Sequence, residues 1–270
     1  MHPFREKYCV SPGSSFDLTA FPTRDSKAFD GNKAAGQKYL DELGERLSEL
    51  QNVLFAEHKQ KILIVLQGMD TSGKNGTVRN VFRNVTPQGV HVASFSRPTR
   101  LELDHDYLWR IHKKTPGAGE IVIFDRSHYE EVTAVRVNDL QPEAVWSKRF
   151  HHINHFEQML TDEGTVIIKF LLHISRAEQK SRLESRLKNP TKHWKFDDSD
   201  LIARERWDEY MQAYNDVLNL TSTPFAPWFV VPSDQKWIRN IIVSEIIIDI
   251  LEGLEMQFPD PEFDPNSYEI

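Results

Sequence analysis

The stretch Lys61–Thr77, KILIVLQGMDTSGKNGT, decides the fold. Its apolar run Ile62–Leu66 breaks into a loop reading Gly68-x-x-x-x-Gly73-Lys74, and a helical pattern follows from Gly73 to Arg83. A hydrophobic strand feeding such a loop, with a helix behind it, is an arrangement that cradles phosphate. Glycines let backbone N–H groups crowd a polyanion, the helix presents its positive end, and Lys74 adds a full charge. Two positions depart from the common pattern. Asn75 stands after Lys74, where Ser or Thr ordinarily holds magnesium, and Asp70 lies inside the loop. A carboxylate there repels phosphate unless a cation stands between them, so the loop itself predicts a magnesium site.

Outward from this segment, strands and helices alternate. Upstream, Leu40, Leu43, Leu47, Leu50 and Leu54 recur at spacings of three and four, which predicts a helix from Asn32 to about Glu57. Downstream, strands are predicted at Val90–Phe95, Glu120–Asp125, Val166–His173 and Trp228–Val231. Between and after them come helices at Leu101–Lys114, Pro142–Leu160, Ala177–Leu187, Ser199–Leu220 and Asp234–Leu254. Such alternation predicts an α/β fold: a mostly parallel five-stranded sheet, helices on both faces and a helical lid. Residues 1–30 read as an irregular N-terminal arm, 31–256 as one domain with its lid at about 176–200, and 257–270 as an acidic, extended tail.

Composition narrows the class. The 270 residues are 39% hydrophobic and 27% charged, ordinary for a globular protein. No apolar run approaches the roughly 18 residues of a membrane span. The N-terminal sequence is polar and broken by proline, without a signal-peptide core, and Cys9 is the single cysteine. These features place the chain in the cytoplasm, away from membranes. A net charge of −7 argues against nucleic acid as a partner.

The chemistry-bearing residues gather around the loop. Asp125 ends the apolar run EIVIFD, and a strand-terminal acid beside a phosphate loop holds magnesium. Arg126 follows it, and a guanidinium can take two phosphate oxygens at once. The segment Arg176–Lys195 carries seven Lys or Arg (including Arg182, Arg186, Lys192 and Lys195) against Glu178 and Glu184, a local excess of five positive charges in an acidic chain. Arg182 and Arg186 lie four apart on one helix face. The bland reading is a solvated face; the functional one is a lid closing arginines over phosphates. Arg79 and Arg83 extend a basic track along the helix behind the loop, longer than a nucleotide triphosphate requires. The histidines 151, 152 and 155 have metal-like helical spacing but no obvious carboxylate partner, and the Trp207/Tyr210/Met211/Tyr214 stripe reads as core.

In four blocks the sequence resembles the polyphosphate kinase 2 family: QGMDTSGKNGTVRNVF (67–82), LDHDYLWRIHKKTPGAGEIVIFDRSHYEEV (103–132), RLESRLKNPTKHWK (182–195) and TSTPFAPWFVVPSDQKW (221–237). The resemblance spans about residues 27–256. It implies a P-loop kinase-like three-layer fold and phosphoryl transfer between inorganic polyphosphate and adenine, or guanine, nucleotides. It also implies magnesium, with manganese as a substitute, held on Asp70 and Asp125. Catalytic positions then map to Asp70, Lys74, Asp125, Arg126, Arg182 and Arg186. Loop contacts fall to Gly68, Gly73, Asn75, Gly76 and Thr77. The DRSHYE version of the third block, 125–130, looks like the group using AMP and often ADP as well, so AMP to ADP and onward ADP to ATP is the expected reaction. A homo-oligomer, dimer or tetramer, is expected. Two rivals differ in donor or class. An ATP-dependent nucleoside monophosphate kinase of thymidylate-kinase type gains nothing from Arg79 and Arg83. A GTP-dependent switch lacks both the hydroxyl after Lys74 and an NKxD-like guanine-reading motif.

Overall fold

A computed structural model describes residues 3–264 and residue 267. Six strands, β1 Cys9–Val10, β2 Lys61–Gln67, β3 Val90–Ser94, β4 Ile121–Asp125, β5 Thr165–His173 and β6 Trp228–Pro232, form one sheet in the order β1-β6-β5-β2-β4-β3. The helices are α1 Pro3–Tyr8, α2 Lys33–Glu57, α3 Lys74–Val81, α4 Arg100–Leu103, α5 Trp109–His112, α6 Ala134–Val137, α7 Glu143–Asp162, α8 Arg176–Lys188, α9 Ser199–Glu205, α10 Trp207–Thr221 and α11 Lys236–Glu252. All five predicted strands pair in parallel. The sixth, β1, pairs antiparallel with β6 at the sheet edge.

Side-chain alternation along β2 builds the three layers. Ile62, Ile64 and Leu66 pack with Leu40, Leu47 and Leu54 of α2 and with Ile238, Ile241 and Ile242 of α11. Leu63 and Val65 point the other way, into a core shared with Ile153 of α7 and with Tyr214, Val217 and Leu218 of α10. A strand covered on both faces is apolar throughout, which is why its period-two signal is hidden in the sequence. The chain leaves β2 for β3 on one side, returns to β4, then crosses to β5 on the other side. Crevices for ligands open at the carboxyl ends of strands where the direction reverses. Here that point is the end of β2.

The arm departs from its irregular reading. It holds α1 and β1, with Tyr8, Val10 and Leu18 all buried. Its backbone is tied down from afar: Phe16 N donates to Asn219 Oδ1 at 2.8 Å, Leu18 N to Asn215 Oδ1 at 2.9 Å, and Ser222 Oγ to the Val10 carbonyl at 2.6 Å. Isolated anchors docked on a ready-made surface leave no periodicity to read. Cys9 therefore lies in a strand, half-buried, and burial raises its thiol despite Arg5 nearby. Two predicted helices are each split. The 101–114 pattern divides into α4 and α5 around Asp104–Asp106, where the Asp106 carboxylate accepts from Leu108 N at 2.9 Å and competes with the helix. The 199–220 pattern breaks at Arg206, whose backbone leaves helical geometry and whose guanidinium pairs with Asp139 and Glu209. Residues 257–264 contain neither helix nor strand; the tail expectation for 265, 266 and 268–270, like the arm expectation for 1 and 2, lies outside the described residues.

Candidate active site

The loop closes at the carboxyl end of β2. Gly68 has φ +140° and Gly73 φ +111°, conformations that side-chain-bearing residues rarely adopt. A Cβ on Gly68 would stand 2.7 Å from the Leu172 carbonyl oxygen. Thr71 and Arg126 also have positive φ, +68° and +64°, each costing roughly 1–3 kcal/mol that the surroundings must offset. Strain thus falls both within the loop and one residue past β4.

Lys74 begins α3 and is buried; its Nζ donates to the Gly68 carbonyl at 2.7 Å. Thr77 is buried and bonds back to the Gly73 carbonyl, whereas Asn75 is exposed. β2 and β4 run in register with Leu66 opposite Asp125, so Asp125, 7% exposed, ends beside the start of the loop. One residue later Arg126 N donates to the Leu66 carbonyl, and the Arg126 guanidinium crosses to the loop acid, Nη2 to Asp70 Oδ1, at 2.7 Å. Burial works against ionisation of Asp70, but Lys74, Arg126 and Arg186 together outweigh it and hold the carboxyl below the usual range.

Two acids join this group that sequence reasoning did not assign to it. Glu130 lies on the 3₁₀ turn His128–Glu131 after β4; burial raises its pKa against the pull of Arg126 and Lys74. With its amide nitrogen toward Glu130, Gln67 donates to Oε1 at 3.1 Å and accepts from Ser127 N at 3.1 Å. Asp200, on α9, is buried and accepts from Arg186 Nη1 at 2.9 Å. Burial, then the facing Asp70, push Asp200 up to about 6. The acidic run Asp197–Asp200 carries no catalytic signature in one dimension; only the return of α9 over the loop reveals it.

The lid residues divide. Arg186 reaches the site through Asp200 and the electrostatics of Asp70. Arg182 does not present its guanidinium to the mouth. It is buried and donates to the carbonyls of Thr71 and Ser72 (both 2.9 Å), Ser233 (2.6 Å) and Asp234 (3.2 Å), and to Glu178 Oε1 at 2.8 Å. It bolts the lid helix to the back of the loop. Lys192 and Lys195 are exposed on the turn Pro190–Lys195. Arg79 is exposed on α3, and Arg83, past the far end of α3, pairs with Asp41 of α2.

The shell beneath the DRSHYE block is a buried polar cluster. Lys169 Nζ donates to Glu157 Oε2 at 2.6 Å, to Tyr129 Oη at 2.9 Å and to the Thr221 carbonyl at 2.8 Å. Glu157 Oε1 also accepts from Tyr129 Oη at 2.8 Å and lies 3.2 Å from His128 Nε2. Thus His128 and Tyr129 hold the turn that carries Arg126 and Glu130.

The mouth gathers Asp70, Asp125, Glu130 and Asp200 around Lys74, Arg126 and Arg186, more carboxylates than fixed cations. Among the described residues no three or more His, Cys, Asp or Glu form a metal cage, and the 151, 152 and 155 histidines make none. Hard oxygens from one or two carboxylates, completed by substrate phosphates, are the donor set that suits Mg²⁺. Asp70 and Asp125 fit it.

The profile of the family Polyphosphate kinase 2 (PPK2) matches residues 30–259. The chain is 52% identical over 257 residues to the AMP/ADP-polyphosphate phosphotransferase of Meiothermus ruber, covering 95% of this chain and 96% of that one. It is 40% identical over 267 residues to the ADP-polyphosphate phosphotransferase of Rhodopseudomonas palustris, covering 94% and 92%. The crystal structure of polyphosphate kinase 2 from Arthrobacter aurescens superposes with a TM-score of 0.91 at 43% identity, over 96% of this chain and 93% of that one.

Proposed function

This chain belongs to the polyphosphate kinase 2 family, and from that premise we propose that it moves phosphoryl groups between inorganic polyphosphate and adenine nucleotides, AMP to ADP and onward ADP to ATP, reversibly. The observation that carries the reading is the meeting of Asp70, Lys74 and Arg126 at the carboxyl end of β2. Transfer between two polyanions requires that their repulsion be neutralised before the ends approach. Lys74 and the loop N–H groups take the phosphates nearest the loop, and Arg126 and Arg186 face them across the crevice. The acceptor is a phosphate oxygen, already anionic near neutral pH, so no side chain need remove a proton.

We place Mg²⁺ on Asp70 and Asp125, with Mn²⁺ as a substitute. Asp70 and Asp125 would hold the ion, which would supply Lewis-acid neutralisation of phosphate charge. The lid arginine we assign to phosphate is Arg186, while Arg182 is given a supporting role. The DRSHYE version of the block, with Glu130 in place, supports AMP as first acceptor. No helix among the described residues is long and apolar enough to cross a membrane; the cytoplasm, where adenine nucleotides are held, is our proposed compartment, and a dimer or tetramer our proposed assembly, open to a mass measurement in solution.

The test uses purified protein with polyphosphate and AMP, with and without EDTA. Nucleotide products in the magnesium mixture alone fit the account. No product with magnesium present would overturn the transfer reading, and full activity under EDTA would overturn the metal assignment.

A further inference from the structure

Behind the loop lies a charge that the mechanism above does not use. Arg239, in the first turn of α11, is 1% exposed. Its Nη1 donates to the Ser72 carbonyl at 3.1 Å, and its Nε and Nη2 donate to Asn240 Oδ1 at 3.1 and 2.7 Å. No carboxylate among the described residues pairs with it. Burial, then the positive charge of Arg182, lower its pKa to about 9, which still leaves it charged at neutral pH.

The loop is cut to admit this group. A Cβ on Gly73 would stand 1.9 Å from Arg239 Nη1, and one on Gly76 3.6 Å from Nη2. The guanidinium therefore lies directly against the Gly73–Gly76 backbone that opens α3. Burying an unpaired cation is costly, and an apolar side chain of like volume would fill the space without that cost. Arg182 meets it at the same Ser72 carbonyl, so two guanidiniums pull one peptide backwards.

We propose that Arg239 is a positioning residue for the phosphate loop: a fixed counter-charge set behind the Gly73 turn that holds the Ser72 carbonyl away from the mouth, and so turns the loop's N–H groups and a positive field toward bound phosphate. The proposal rests on reading the loop as the phosphate site. Lys74 meets the anion from the front and Arg239 from behind, through backbone too thin to shield it. The charge left uncompensated in the free protein is compensated when a polyanion arrives.

Asn240→Asp tests this with little change of shape. It keeps the acceptor for Nε and Nη2 but sets a carboxylate against the guanidinium. A purely structural arginine would be better satisfied, and the variant would bind as wild type does. The proposal expects a melting temperature no lower than wild type, with the calorimetric Kd for inorganic tripolyphosphate raised about tenfold and the polyphosphate KM raised in step, while kcat changes less. Arg239→Met removes both the charge and the Ser72 bond and is expected to weaken tripolyphosphate by more than that. Wild-type affinity in either folded variant overturns the role. Loss of folding in both would also overturn it, by assigning the residue to the core. Wild-type protein that does not bind tripolyphosphate would instead overturn the phosphate reading itself.

Discussion

Arg126, one residue past the end of β4, donates from Nη2 to Oδ1 of Asp70 inside the phosphate loop at 2.7 Å. This contact joins the two motifs that define the site, although they lie far apart in sequence. Both side chains retain solvent access, 41% and 24% exposed, so the pair itself stabilises the fold by about 1 kcal/mol or less. Its value is to hold a guanidinium and an ionised carboxylate together at the loop, where we propose that phosphates and magnesium bind.

Arg126→Ala is therefore expected to lower kcat/KM by about 10²–10³-fold while the melting temperature moves by only a few degrees. Steady-state kinetics and a thermal scan on the same preparation check it. A variant with near wild-type turnover would remove Arg126 from the site.

Arg182→Ala is expected to act on the fold first. It orphans the carbonyls of Thr71 and Ser233 in a buried setting and leaves the Ser72 carbonyl to Arg239 alone, a loss of about 3 kcal/mol. Arg182→Lys should recover little, because a compact ammonium cannot reach acceptors on both sides of a planar fork. Urea unfolding midpoints decide this. An unchanged midpoint with reduced turnover would return Arg182 to the phosphates.

The Lys169–Glu157 pair is wholly buried. Glu157→Gln leaves the Lys169 charge unpaired and is expected to cost about 3–5 kcal/mol, with loss of activity as the turn carrying Arg126 loosens. Replacing both partners, Lys169→Met with Glu157→Leu, should recover stability but not full turnover, since Tyr129 and His128 lose their anchor. Equal destabilisation in the single and double variants would show that packing alone, rather than charge, governs the cluster.

His173 gives the chain an acid-sensitive element. Burial pushes its pKa down to about 4, despite the backbone of Phe21 and the charge of Asp234, whereas an unfolded histidine titrates near 6.5. Between those values the unfolded chain binds more protons, so this group's contribution is whole above about pH 6.5 and falls away toward pH 4. The change amounts to at most about 3 kcal/mol. His173→Gln should flatten the stability profile in that window, read as urea midpoints from pH 7 to 4. An equally steep profile in the variant would assign the acid sensitivity elsewhere.

Much of this architecture is legible in one dimension because strand, loop and helix follow each other without interruption from Lys61 to Val81. Strand-end Asp125 is legible too, since parallel register places it beside the loop. Asp200 and Arg239 are not, because each enters the site from an element remote in sequence and carries no local pattern. Arg182 and Arg186 share a helix face, yet one turns to buried carbonyls and the other to the lid acid. Periodicity assigns a face, whereas the neighbours on that face are set by the return of β6 and α9.

The most direct test of the central claim is the time course of nucleotides after mixing the protein with magnesium, AMP and polyphosphate, with no ATP supplied. ADP is expected to appear first and ATP to follow, with polyphosphate shortening in step, and Lys74→Ala and Asp125→Ala are each expected to abolish both products while remaining folded. AMP left unchanged, or ADP formed only when ATP is added as donor, would contradict that claim.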